Sequence, residues 1–291
     1  MEIITLTNSN NESLVLNNKA PFILQSLDGV GGASSKIQTQ KAPYQDGNTY
    51  INSYLEPRSI DIDLGIYASN QKKLYDLRAK VCNILNSKLG KGKLTYKNDR
   101  GTKTIDYVID VPPTFPSGNK NRMIGYQKCT FSLLCNSPFW EDDVHNSIKL
   151  ADVVPLFHFP LEIKTEGIEF SDISDGYYDI VNKGNVSTPI EIIFNGAVTN
   201  PIITNTTTNE FIKVNTTVGE KESLIINTAF GNKKVILIDS DGNKINKFGH
   251  IDLNSTFFNL QTGTNKITYD ADTGADLATV KISYKQRYIG I

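Results

Sequence analysis

Long apolar runs, metal-ligand spacings and a dominant charge sign are all missing from this chain of 291 residues. No stretch approaches the roughly 20 apolar residues that a membrane-spanning helix needs. The opening "MEIITLTNSNNESLVLNN" has neither a basic start nor a continuous apolar core. No signal peptide is therefore expected, and a cytoplasmic origin is. A net charge of -1 gives no whole-chain argument for nucleic acid or membrane. Cysteine is scarce, with Cys82, Cys129 and Cys135 only. The last two share one strand-like run, which puts their Cα atoms roughly 20 Å apart, beyond the reach of a disulfide. All three are expected to be small buried apolar residues. His145, His158 and His250 have no second His or Cys at ligand spacing, so no metal is expected.

Reaction motifs are missing as well. "DGVGG" (28–32) is glycine-rich but lacks the order of a phosphate loop or a dinucleotide fingerprint, so its glycines are expected to permit a tight crossing. "DSDGNK" (239–244) places Asp239, Asp241 and Asn243 as in a calcium loop. It then fails at Lys244 and His250, where a glycine and a bidentate acid belong, and a hairpin turn is the better reading. Asp270, Asp272 and Asp276 also read as turn residues. There is no G-x-S-x-G elbow, and no pair of carboxylates stands out for glycan cleavage. No catalytic residue and no cofactor are expected.

What is present is sheet. "RSIDIDLGIY" (58–67) alternates, with Ile60, Ile62, Leu64 and Ile66 on one face and Ser59, Asp61 and Asp63 on the other. Residues 3–7 and 13–17 predict a hairpin, 22–27 and 34–41 further strands, 93–111 a hairpin turning at Asn98–Gly101, and 123–135 a last strand. One helix follows Tyr67, with Ser69 as its cap, Leu74, Leu77, Val81, Ile84 and Leu85 as its apolar stripe, and Gly90 as its stop. Its other face carries Lys72, Lys73, Arg78, Lys80 and Lys88, a solvated surface or a docking face for acidic partners. Beyond residue 176 the texture turns to Asn, Thr and Gly. There the spacing predicts many short strands, including 244–251 and 256–260, in an antiparallel sandwich or jelly roll. Tyr177, Tyr178, Phe211, Phe257, Phe258 and Tyr269 supply either its core or sugar-stacking faces.

The boundary falls in "TFSLLCNSPFWEDD" (130–143). Pro138 blocks further strand pairing, Phe139 and Trp140 pack over the end of the first core, and Glu141 to Asp143 begin a solvated connector. Charge changes sign at the same place. Residues 1–140 hold 17 Lys+Arg against 11 Asp+Glu, a balance of +6, and the remainder balances at -7. The expected organisation is an N-terminal domain over 1–140, a connector over 141–175 and a C-terminal sandwich over 176–291.

Several of these segments, in this order, carry a family likeness: "DGVGG", "RSIDIDLGI", "QKKLYDLRAKVCNILN", "GKLTYKND" and "FSLLCNSPFW", then "VNKGNVSTPIEIIFNGAVTNPIITNTTTNEFIKVN" (181–215), "FNLQTGTNKITYDAD" (258–272) and "RYIGI" (287–291). Together they resemble the distal tail protein (Dit) family of tailed bacteriophages. The resemblance implies a mainly β protein: a sandwich or barrel-like N-terminal domain with one helix, and a galectin-like C-terminal sandwich. It implies a structural hub at the tail tip, a homo-hexameric ring between the tail tube protein and the tail-associated tip protein, assembled in the host cytoplasm. The tape-measure and receptor-binding proteins and cell-wall carbohydrate are further implied partners. Ring contacts are expected on the 93–111 hairpin, the helix flank and the 112–122 loop, at Lys97, Asn98, Asp99, Arg100, Lys120 and Arg122. A carbohydrate-binding module without a ring, or a tail-tip glycan hydrolase, is the alternative.

Overall fold

The computed structural model describes residues 2–151 and 177–291. The chain divides into two compact units, Met1–Asp143 with Tyr288–Ile291, and Val144–Arg287.

The first unit contains β1 (Ile3–Thr7), β2 (Ser13–Leu16), β3 (Phe22–Asp28), β4 (Ser35–Gln40), β5 (Thr49–Leu55), β6 (Arg58–Tyr67), α1 (Gln71–Ile84), β7 (Gly92–Asn98), β8 (Gly101–Thr114), β9 (Arg122–Met123), β10 (Tyr126–Cys135) and β11 (Trp140–Asp142). The main sheet runs β2-β1-β7-β8-β10-β6-β3. Its ends meet only through the single bridge Asn17–Ile23, so no ladder closes a barrel. The alternation of β6 is real: Ile60, Ile62, Leu64 and Ile66 are buried, and Ser59 and Asp61 are exposed. Ile60 and Ile62 stand opposite Leu133 and Phe131 of β10, all of them buried. Each such side chain stabilises the fold by about 1.5–3 kcal/mol.

Four local expectations need correction. The helix is capped by Asn70, whose side chain accepts from Lys73 N at 2.9 Å, so Ser69 lies one residue outside. It ends at Leu85 rather than at Gly90. Asn86 takes the Lys88 N–H on its own side chain and starts a separate single turn there, an alternative that competes with helix continuation. Cys82 is exposed on α1, whereas Cys129 and Cys135 are buried. The segment from Pro112 is not wholly a loop. β8 runs through Pro112 and Pro113 to Thr114, with register shifts against β10 across that stretch. A bulge is where a strand tolerates residues that lack an N–H.

Trp140 is fully buried in the first core. Glu141 and Asp142 do not lead away into solvent: they pair with Thr104 and Lys103 of β8. Lys103 forms an ion pair with Asp142 and lies 3.7 Å from the centroid of the Tyr288 ring. Behind Trp140 sits Arg58, only 2% exposed. Its Nη1 donates to Gly29 O and Gly31 O at 2.6 and 2.5 Å, its Nε and Nη2 donate to Pro138 O, and Nη2 also donates to Ile289 O. The glycine-rich segment thus crosses the end of β6 and the terminal residues. A Cβ on Gly29, whose φ is +85°, would stand 2.0 Å from Ser59 O, and one on Gly290 would stand 2.8 Å from the Gly31 backbone.

The second unit contains β12 (Asn146–Ala151), β13 (Tyr178–Asn182), β14 (Ile190–Asn195), β15 (Val198–Thr199), β16 (Ile202–Asn205), β17 (Glu210–Lys213), β18 (Thr217–Val218), β19 (Ser223–Asn227), β20 (Lys234–Ile238), β21 (Lys244–Asn246), β22 (Gly263–Asp270) and β23 (Thr279–Tyr284). Among the described residues a sheet β12-β23-β14-β19-β20-β21 and a sheet β13-β22-β16-β17 form an antiparallel sandwich, with Phe194, Ile192, Leu224, Ile267 and Ile282 in the core. The expected connector is shorter than 141–175, because 146–151 is already a strand on β23; residues 152–175 lie outside the described residues, as does His158. Strand 244–251 stops at Asn246 and gives way to a short turn at Phe248–His250, and 256–260 pairs only at Leu260. Asparagine here does more than turn. Asn182, Asn205 and Asn265 are buried, and Asn265 Nδ2 donates to Gln261 O at 2.8 Å while its Oδ1 accepts from Asn205. Buried backbone groups of irregular segments need such partners.

Burial pushes Tyr107, Cys129 and Cys135 of the first unit up to about 12, and Tyr269 of the second likewise. Each is held protonated in the folded chain while its unfolded counterpart ionises near 9 (Cys) or 10 (Tyr). Stability from these groups is complete below pH 9 and is lost as pH rises toward 12. The thermal midpoint followed by Trp140 fluorescence is expected to fall steadily above pH 9. A midpoint that stays flat to pH 11 contradicts this.

Candidate functional site

The first unit carries a hairpin that belongs to no core. β4 and β5 pair only with each other, from Ser35–Leu55 to Gln40–Thr49. Apart from half-buried Leu55, every residue of both strands is exposed. Ile37 and Tyr50 are 60% exposed, Ile51 56% and Tyr54 45%, and Tyr44 in the connecting turn is fully exposed. A lone two-stranded ribbon is marginal in water, and apolar side chains presented together on a projecting element mark an interface. β5, "TYINSYL", was not among the expected strands, although its Tyr, Ile and Thr content favours one.

The residues expected at an interface fall in two places. Lys97, Asn98, Asp99 and Arg100 form the β7–β8 turn, where Asn98 Oδ1 accepts from Arg100 N at 2.8 Å. Lys120 and Arg122 lie in the segment before β10, beside α1. Arg122 Nη2 donates to Tyr75 Oη at 2.6 Å. Arg78 lies 4.3 Å from the Phe115 ring centroid and 5.4 Å from that of Tyr75. A bond to Gln71 and then one to Arg122 hold the Tyr75 phenol below its usual range. This cluster fixes the 115–122 segment on the basic helix, giving the helix face an ordered, cationic and aromatic character. Met123 and Ile124 stand exposed at its tip.

Among the described residues no group of three or more His, Cys, Asp or Glu side chains is placed to hold a metal ion. Asp239 accepts from Asn243 Nδ2 at 3.0 Å and from Asn243 N and Asp241 N at 2.8 and 3.0 Å, as a turn residue does, and these bonds, the Asn243 side-chain bond first, hold its carboxyl below the usual range. His250 Nδ1 lies 3.1 Å from Asn215 O.

Residues 9–135 match the family described as phage tail protein RIFT-related domain, and residues 183–288 match the siphovirus-type tail component, C-terminal domain. None of the curated proteins matches the chain. In fold, the chain is similar to the phage SPP1 Dit protein, described as a paradigm of the hub adsorption apparatus in phages infecting Gram-positive bacteria. The identity is 12% over 98% of each chain, with a TM-score of 0.67. A chain of the phage P2 baseplate in its activated conformation is similar at 12% identity over the whole of both chains, with a TM-score of 0.57.

Proposed function

With the chain belonging to the Dit-like family of siphovirus tail components, we propose that six copies close into a hub ring through the first unit, with the β4–β5 ribbon as the principal contact. The chain is a structural component of the phage tail and baseplate. Its place is in the virion, in association with other tail components.

The observation that carries the ring is the unpartnered ribbon. Its strands satisfy only each other, and its Ile and Tyr side chains have no core to enter. The same patch on each copy, laid on a different patch of its neighbour, is a heterologous contact, which closes when the rotation permits. The first unit then forms the ring, and the second is a separate sandwich domain. The β7–β8 turn at Lys97–Arg100 and the Lys120–Arg122 segment supply charged contacts to neighbouring copies or to the tube and tip proteins stacked on the ring. Assembly takes place in the host cytoplasm, and no chemical step is needed.

Tyr50→Asp combined with Ile51→Asp tests this. Both side chains are exposed, so the monomer keeps its core. The unsubstituted chain is expected to show a six-copy mass by mass photometry, and the variant a monomer with an unchanged Trp140 melting midpoint. A variant ring of wild-type mass, or a wild-type chain that stays monomeric at all concentrations, overturns the assignment.

A further inference from the structure

We propose that Tyr44, at the tip of the β4–β5 ribbon, is an anchor that seats in a pocket beside α1 on the next copy of the chain. This inference rests on the ring reading above and names the surface on which the ribbon lands. Tyr44 is fully exposed and sits at a φ of +65°. A positive φ on a bulky residue is an outlier that its surroundings must impose. Gln45 supplies the restraint: its N–H donates to Ala42 O at 3.2 Å, its Oε1 accepts from Ala42 N at 3.0 Å, and its Nε2 donates to Thr49 Oγ1 at 3.0 Å. The turn is thereby ordered in the single chain and presents the ring to solvent. An aromatic side chain held out in advance loses little freedom when a pocket takes it.

The pocket has a volume of about 410 Å³. Its walls include Pro21, Tyr67, Ala68 and Leu77, and Ser69 and Lys73 add a hydroxyl and an ammonium group. Backbone bonds hold it open: Tyr67 N donates to Pro21 O and Ala68 N to Gly125 O, each at 2.8 Å. Apolar walls suit the body of a tyrosine, and the polar groups suit its phenol. An ammonium group beside the ring adds a cation–π attraction. Charge agrees with this occupant. No acid lines the pocket, and the first turn of α1 holds none. Lys72 and Lys73 stand in that turn, and exposed Asp46, two residues after Tyr44, brings a carboxylate to them.

Position assigns the anchor and the pocket to different copies. The ribbon leaves the first unit at the Arg58 end of β6, where Glu56 N donates to Ser34 O at 2.9 Å. The pocket opens at the Tyr67 end of the same strand. The 10 residues of β6 put these ends roughly 30 Å apart. The 6 residues of β4 reach only about 20 Å, so the tip does not return to the pocket of its own copy. An anchor at one end and its socket at the other make a head-to-tail contact, the kind that closes into a ring. A self-complementary patch would give pairs instead.

The test places a photoreactive benzophenone side chain at Tyr44 of the purified full chain, which keeps an aromatic anchor at the tip. Irradiated rings are expected to give a covalent ladder ending at six copies, with the adducts mapping by mass spectrometry to residues 67–77 of a second copy. Tyr44→Ala, and separately Ser69→Trp, which fills the mouth of the pocket, are each expected to raise the concentration of half-assembly by roughly tenfold or more in mass photometry. Tyr44 and Ser69 are both exposed, so the Trp140 melting midpoint should not move. Adducts between copies that map away from the pocket, or normal assembly of Tyr44→Ala, would overturn the landing place and leave the ribbon reading standing. An unsubstituted chain that forms no ring would overturn both.

Discussion

Arg58→Met is expected to lower the melting midpoint of the first unit by roughly 10–15 °C. Five hydrogen bonds leave this one guanidinium, which matches its five N–H donors. They end on four carbonyls, those of Gly29, Gly31, Pro138 and Ile289, drawn from three separated stretches of chain. Methionine keeps much of the stem's packing and leaves all four acceptors without their donor. Bonds to a charged donor and the burial of unpaired acceptors together put the cost at about 3–5 kcal/mol. The readout is built in, because Trp140 is the sole tryptophan and its ring centroid lies 5.9 Å from the Arg58 guanidinium. Arg58→Lys, with three donors, should fall between. An unchanged fluorescence midpoint in Arg58→Met would show that the crossing holds without its clasp.

Phe194→Ala is expected to produce the complementary result. Phe194 is fully buried in β14, with its ring centroid 5.6 Å from that of Tyr269, and stands opposite Leu224 and Val280 on the neighbouring strands. Truncation there leaves a cavity that this sheet sandwich cannot readily collapse, at a cost of about 3–5 kcal/mol. Each unit has its own hydrophobic core. The loss should therefore appear in circular dichroism as an earlier transition of the second unit, while the Trp140 transition stays in place. Movement of both transitions together would mean that the units melt as one.

These two substitutions also mark what the sequence displays well and badly. β6 and β10 were legible because each buries one face only, so alternation survives in the letters. Arg58 was not legible as a clasp. A buried cation among carbonyls needs partners that are 27 to 231 residues away in sequence, and no periodicity records that. The glycines of "DGVGG" did signal a crossing, and Gly29 makes it at a φ no side chain adopts readily. Strand β5 was hidden for the opposite reason. Both faces of a projecting ribbon meet solvent in the single chain, so Tyr50, Asn52 and Tyr54 alternate with Ile51 and Ser53 without a polar side. The asparagines of the second unit suggested turns and proved to serve buried backbone as well.

The most direct measurement is cross-linking within assembled tails. A photoreactive residue placed at Ile37 or at Tyr50, in virions purified from infected cells, reports what covers the ribbon. The account predicts adducts of this chain with itself, in a ladder that ends at six copies. Adducts exclusively with other tail proteins, or none with a second copy of the chain, would contradict it.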